Sequence, residues 1–131
     1  KLIFKGEIKG NLVPPHIFID VDSSSSLAQE ESFAPILPVI KAKNEDHALE
    51  LANDTRFGLS SAVCTQDNER GVQFALKIET GMTHINAITV ADQANAPFGG
   101  EKNSGLGRFN GQWILEEFSR THWVTRPKIK S

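Results

Sequence analysis

Between Ile36 and Asn86 the apolar residues change their spacing four times, and this alternation limits the fold more than any other feature of the chain. Ile36–Ile40 reads as a strand entered through Pro35. Pro38 inside it predicts a sheet edge or a bulge, because proline has no amide to give a second neighbour. Asn44 is placed to cap a helix whose first turn carries Glu45 and Asp46, the charge favoured at the positive end of the helix dipole. Ala48, Leu49, Leu51 and Ala52 give that helix its apolar face, and Gly58 closes the turn after it. Ser60–Thr65 reads as a second strand. A second helix is predicted from Asn68 to Glu79, capped by Asp67, with Val72, Ala75, Leu76 and Ile78 inward and Gly81 as a left-handed C-terminal cap. Met82–Asn86 then resumes as a strand. Strand, helix, strand, helix, strand is the pattern of an α/β layer, since parallel neighbours need a crossover between them.

The flanking segments carry less information. Leu2–Phe4 and Ile17–Val21 read as short strands, with Pro14 and Pro15 as an extended lead-in to the second. Ser23–Ser26 reads as a solvated loop. Ala87–Gly111 has no period and holds five of the ten glycines, at 99, 100, 105, 107 and 111. Bracketed by apolar residues, it reads as a functional loop and not a linker. A short helix, Gln112–Phe118, precedes a last strand, Thr121–Thr125, and a basic tail from Arg126 to Ser131 that is expected to fray.

Composition excludes several classes of function. The 131 residues amount to one domain, and a net charge of −2 gives no general attraction to nucleic acid or an anionic membrane. No apolar run is long enough to span a bilayer. A single cysteine allows no internal disulfide, and a reducing cytoplasm is its simplest home. His16, His47, His84 and His122 lack metal-ligand spacing, so no metal is expected. The chain opens on Lys1 inside what reads as a strand and turn, without a signal pattern, so it is expected to be a part excised from a longer chain.

Generic chemistry finds no active site in these residues. Cys64, mid-strand by pattern, reads as a small hydrophobe and not a nucleophile. His84, alternating with Met82 and Asn86, reads as a hydrogen-bonded structural histidine. Gly105, Gly107 and Gly111 fail the spacing of a dinucleotide fingerprint, and Gly99-Gly100-Glu101-Lys102 is not a phosphate-binding P-loop. Gln29–Pro35 reads as a charged surface turn. What remains is an α/β piece with one long glycine-rich loop.

Order and spacing add a resemblance. Gly10–Pro15, the box Glu31-Ser32-Phe33-Ala34-Pro35, the helix end Leu51–Leu59, the strand Gly81–Asn86 and, above all, Pro97-Phe98-Gly99-Gly100-Glu101-Lys102-Asn103-Ser104-Gly105-Leu106-Gly107-Arg108 resemble consecutive segments of the aldehyde dehydrogenase superfamily. Together they cover nearly the whole chain. The Arg108–Gly111 continuation and the His84-Ile85-Asn86 strand lean toward the bacterial aromatic-aldehyde branch, benzaldehyde- or vanillin-type.

The resemblance implies NAD- or NADP-dependent oxidation of an aldehyde to a carboxylic acid. A cysteine thiolate adds to the aldehyde, the thiohemiacetal loses hydride to the nicotinamide, and a glutamate-activated water hydrolyses the thioester. It implies that Glu31 accepts hydrogen bonds from the nicotinamide-side ribose hydroxyls and that Phe33 packs near the nicotinamide ring. It implies that Val90, Asp92 and Phe98 border the aldehyde. The nucleophilic cysteine, the general-base glutamate and the dinucleotide-binding region are expected upstream of Lys1, so no catalytic residue is expected here and the chain alone is expected to be inactive. Residues 1–119 are then the C-terminal part of the catalytic domain, a parallel sheet with flanking helices, and residues 120–131 an oligomerisation strand and tail that joins a homo-oligomer. Ala34 departs from the family's usual glycine, a cost of about 1 kcal/mol if that position needs positive φ. Asp92 either turns away from the aldehyde or binds a polar ring substituent. The alternative is a non-catalytic assembly module that keeps this fold.

Overall fold

The computed structural model describes residues 1–128. The elements run β1 (Leu2–Lys5), β2 (His16–Phe18), α1 (Ser26–Gln29), β3 (Ile36–Pro38), α2 (Glu45–Asn53), β4 (Phe57–Gly58), β5 (Ser60–Val63), α3 (Asn68–Ala75), β6 (Met82–Ile85), β7 (Glu101–Lys102) and α4 (Trp113–Glu117). They form three small sheets where the sequence pattern suggested one parallel layer: β1-β2-β3, β4-β7 and β5-β6. The β2–β3 and β5–β6 pairs are parallel, and β1–β2 and β4–β7 antiparallel. Pro38 lies in the outer strand β3, where its missing amide costs nothing.

Both helix caps form as the sequence predicts. Asn44 Oδ1 accepts from the His47 amide at 2.9 Å, and Asp67 Oδ1 from the Arg70 amide at 3.0 Å. The helix α3 crosses between β5 and β6, which pair in register from Ser60 opposite Met82 to Val63 opposite Ile85. This is the expected strand–helix–strand unit. The Ser61, Thr80 and Thr83 hydroxyls form a triangle with sides of 2.9, 2.8 and 3.1 Å that ties the two strands at their start.

Several expectations need correction. The second helix stops at Ala75, not Glu79, because Asn53 captures the backbone beyond it: Asn53 Nδ2 donates to Lys77 O at 3.0 Å and Asn53 Oδ1 accepts from the Glu79 amide at 2.9 Å. The serine run is not simply a solvated loop. Asp22 Oδ1 accepts from the Ser24 amide and hydroxyl at 2.9 and 2.8 Å, which holds its carboxyl below the ordinary 3.8, and a single turn of helix follows at Ser26. Gly81 is not a left-handed cap, for its φ is not positive. It is glycine because a Cβ there would collide with the carbonyl oxygen of Gly99 and reach 3.1 Å from Gly100 Cα. Thr121–Thr125 forms no strand, since nothing among the described residues pairs with it. The end of the basic tail, residues 129–131, lies outside the described residues.

Among the described residues no hydrophobic side chain is buried; the enclosed positions are Gly58, Gly71, Gly99 and Gly100. Large apolar side chains instead lie open, Phe33 at 97%, Leu106 at 90% and Trp123 at 86% exposure. Apolar surface on this scale marks contact surface. No helix among the described residues is long and apolar enough to cross a membrane.

Candidate functional site

Gly58 is the residue on which the candidate site is built. Its amide donates to Ser104 Oγ at 2.8 Å, and its carbonyl accepts from the Gly81 amide at 2.9 Å. A Cβ at Gly58 would lie 2.5 Å from Glu79 O. Three segments far apart in sequence therefore meet backbone to backbone here: the β4 strand, the start of β6 and the glycine-rich loop. Two of the cavities that border this seam hold residues singled out from the sequence.

The first, of about 440 Å³, is lined by Glu31, Phe57, Gly58, Leu59, Ser60, Asn103 and Ser104. Glu31 makes no ion pair among the described residues. Its neighbour Glu30 accepts from Arg56 Nη2 at 2.6 Å, and the same guanidinium lies 5.0 Å from the centre of the Phe57 ring. Arg56 thus holds the acidic turn next to the cavity wall. The pair is exposed, so its role is orientation more than stability.

The second cavity, of about 300 Å³, is bordered by Gly81, His84, Asp92, Gln93, Pro97 and Phe98 among others. Successive strand residues face opposite sides. Ile85 faces α3 at Gly71, so His84 faces the loop that carries Asp92. His84 Nε2 is enclosed without a hydrogen-bond partner, where the sequence suggested a bonded structural histidine.

Of the five residues singled out, Glu31 enters the first cavity, and Asp92 and Phe98 enter the second. Phe33 and Val90, at 97% and 82% exposure, do not line either cavity. Ala34 has no positive φ, so its departure from glycine carries no backbone strain. Cys64 is exposed, not buried, and lines neither of these cavities; it borders a separate pocket that Arg70 also lines, and the Arg70 pKa is raised by its hydrogen bond to the Glu45 carboxylate. No group of three or more His, Cys, Asp or Glu among the described residues could hold a metal ion.

Sequence reasoning placed Lys102 and Arg108 in the Pro97–Arg108 run but gave them no role in bracing the glycine-rich loop. Lys102 Nζ donates to the carbonyls of Asn53 and Thr55 at 2.7 and 3.1 Å and meets Glu79 at 2.8 Å. Arg108 Nη1 donates to the carbonyls of Gly100 and Gly107 at 3.0 and 2.9 Å, and Nη2 binds the Glu101 carboxylate. Lys102 lies 49 positions from Asn53, so no local pattern signals its contact, whereas Arg108 follows four glycines of one loop, whose turns leave carbonyls without partners.

Comparison with known proteins gives concordant results. The sequence profile of the aldehyde dehydrogenase family matches residues 1–124. The chain is 54% identical over 120 residues to a vanillin dehydrogenase of Corynebacterium glutamicum, covering 92% of this chain and 25% of that protein. It superposes with a TM-score of 0.91 and 39% identity on a salicylaldehyde dehydrogenase from Pseudomonas putida G7, solved with salicylaldehyde, covering 100% of this chain and 27% of that one. An aldehyde dehydrogenase of Mycobacterium tuberculosis solved with NAD+ gives a TM-score of 0.83 at 38% identity, covering 92% and 26%. The chain spans about a quarter of the length of the relatives it matches.

Proposed function

Because this chain belongs to the aldehyde dehydrogenase family, we propose that the protein carrying it oxidises an aromatic, benzaldehyde-like aldehyde to its carboxylic acid with a nicotinamide dinucleotide as oxidant. The observation that carries this reading is the seam at Gly58 and Gly81, which sets the cavity of Glu31 beside the cavity of Asp92 and Phe98. One suits a cofactor and the other an aldehyde, and oxidation by hydride transfer needs the two to meet. The aromatic preference is supported by the apolar side chains of Pro97 and Phe98 at the second cavity and by the vanillin and salicylaldehyde dehydrogenases among the relatives.

The chemistry of Glu31 fits the cofactor. An ionised carboxylate is acceptor-only, and its two oxygens match two vicinal ribose hydroxyls. Bound there, the dinucleotide supplies the hydride acceptor. Phe33, open to solvent in this chain, is free to pack against the nicotinamide ring and limit its orientation. Phe98 excludes water from the aldehyde and sets the plane of its ring.

In this reading the nucleophilic cysteine and the general-base glutamate come from residues outside these 131, and Cys64 takes no part. Thr121–Thr125, unpaired here, becomes the strand through which copies of the protein assemble. A substrate panel tests the proposal: the protein carrying this chain is given benzaldehyde-like and aliphatic aldehydes with NAD or NADP. Higher kcat/KM for the aromatic set supports it. Turnover of aliphatic aldehydes alone removes the substrate assignment, and no turnover with either cofactor favours a non-catalytic module.

A further inference from the structure

We propose that Asn110 is a positioning residue for the aldehyde, which pins the Asp92 carboxylate and so fixes the loop of residues 90–96 at the edge of the Phe98 cavity. The proposal rests on the reading that this cavity admits the aldehyde. Asn110 Nδ2 donates to Asp92 Oδ1 at 2.8 Å and lies 3.3 Å from Gln93 O. The next residue continues the clamp, with the Gly111 amide donating to Ala94 O at 2.9 Å. The preceding residue anchors it, since Phe109 and Phe98 exchange both backbone hydrogen bonds, at 2.7 and 3.1 Å. Three consecutive residues, Phe109 to Gly111, thus grip the middle of this loop and the Phe98 backbone just after it.

The residue type at 110 follows from two demands. Its φ is +71°, left-handed, where asparagine is among the few side chains tolerated. Its side chain must also donate to a carboxylate. Aspartate meets the first demand and fails the second, and leucine fails both. The bond also decides how Asp92 is used. One carboxylate oxygen is held by Asn110, so Asp92 serves the cavity as a tethered part of its rim and not as a free charge searching for a ring substituent. Without the tether, an unpaired carboxylate would sit beside Pro97 and Phe98, a poor neighbour for an aromatic ring.

The test is a reciprocal swap in the protein that carries this chain, using Asn110→Asp, Asp92→Asn and the double variant. Asn110→Asp keeps shape and backbone preference but sets two carboxylates face to face. The double variant restores one donor and one acceptor with their places exchanged. The readout is KM for the aldehyde against KM for the cofactor at one pH. Asn110→Asp is expected to raise KM for benzaldehyde about tenfold, the scale of one charge-assisted hydrogen bond, while KM for the cofactor stays put. The double variant is expected to recover most of that loss. An unchanged benzaldehyde KM in Asn110→Asp, or a double variant no better than the single, overturns the proposal.

A second measurement does not depend on turnover. Exchange of the Gly111 amide hydrogen, which is bonded to Ala94 O, is expected to speed up in Asn110→Asp and slow again in the double variant, while the Asn86 amide bonded to Val63 O stays protected. If the wild-type protein oxidises no aldehyde, the functional reading fails, and unchanged exchange at Gly111 would overturn the clamp separately.

Discussion

The ammonium of Lys102 caps the end of α2 by donating to Asn53 O at 2.7 Å, from a backbone that itself lies in the left-handed region at φ +54°. The last carbonyls of a helix lack partners and carry its negative pole, so a cation there is favoured twice. Lys102→Met should remove both effects and destabilise the protein by about 1–3 kcal/mol. Thermal unfolding checks this. A melting temperature equal to wild type would show that Lys102 is not a brace.

Gly81 is expected to be intolerant of even one methyl group. A Cβ there meets the Gly99 backbone, which cannot swing away as a side chain can. Gly81→Ala should cost about 3 kcal/mol, at the upper end of overpacking effects. It should also lower activity, because the shift separates the two cavities. Denaturant unfolding midpoints check the first part, and a midpoint unchanged from wild type would contradict the close approach.

Glu31→Gln should weaken the cofactor more than the aldehyde. The amide can accept at one atom only, so one of two ribose hydrogen bonds is lost and KM for the dinucleotide should rise about tenfold. Single-turnover hydride transfer should slow as the ring is held less firmly. Wild-type values for both would remove Glu31 from the cofactor site.

Made alone, the 131-residue chain should self-associate. Leu106 and Trp123 are as exposed as side chains of an unfolded segment, and none of the described apolar side chains is buried. Light scattering at rising concentration checks this, and a clean monomer at high concentration would contradict it.

Much of the fold was legible because the cues were local. Asn44 and Asp67 cap helices where a polar acceptor precedes charged first turns, and Pro38 marks an edge because of a missing amide. The errors came from long-range contacts. Nothing near Ile78 in sequence reveals that Asn53 will take the bonds that would extend α3. Nothing around Gly81 reveals that Gly99 will press against it. The strand expected at Thr121–Thr125 needed a partner that no described residue supplies. The candidate site divides in the same way. Glu31, Asp92 and Phe98 were found through spacing that resembles a family, whereas Arg56, Ser104 and Asn110 act through bonds to residues 18 to 46 positions away, which no local pattern encodes.

The most direct test of the central claim follows one hydrogen. The protein carrying this chain is given benzaldehyde deuterated at the formyl carbon together with the oxidised dinucleotide, and both products are recovered. Hydride transfer places the deuterium on the nicotinamide ring of the reduced cofactor and leaves unlabelled benzoate. Benzoate formed with the cofactor still oxidised, or a reduced cofactor free of deuterium, would contradict the account.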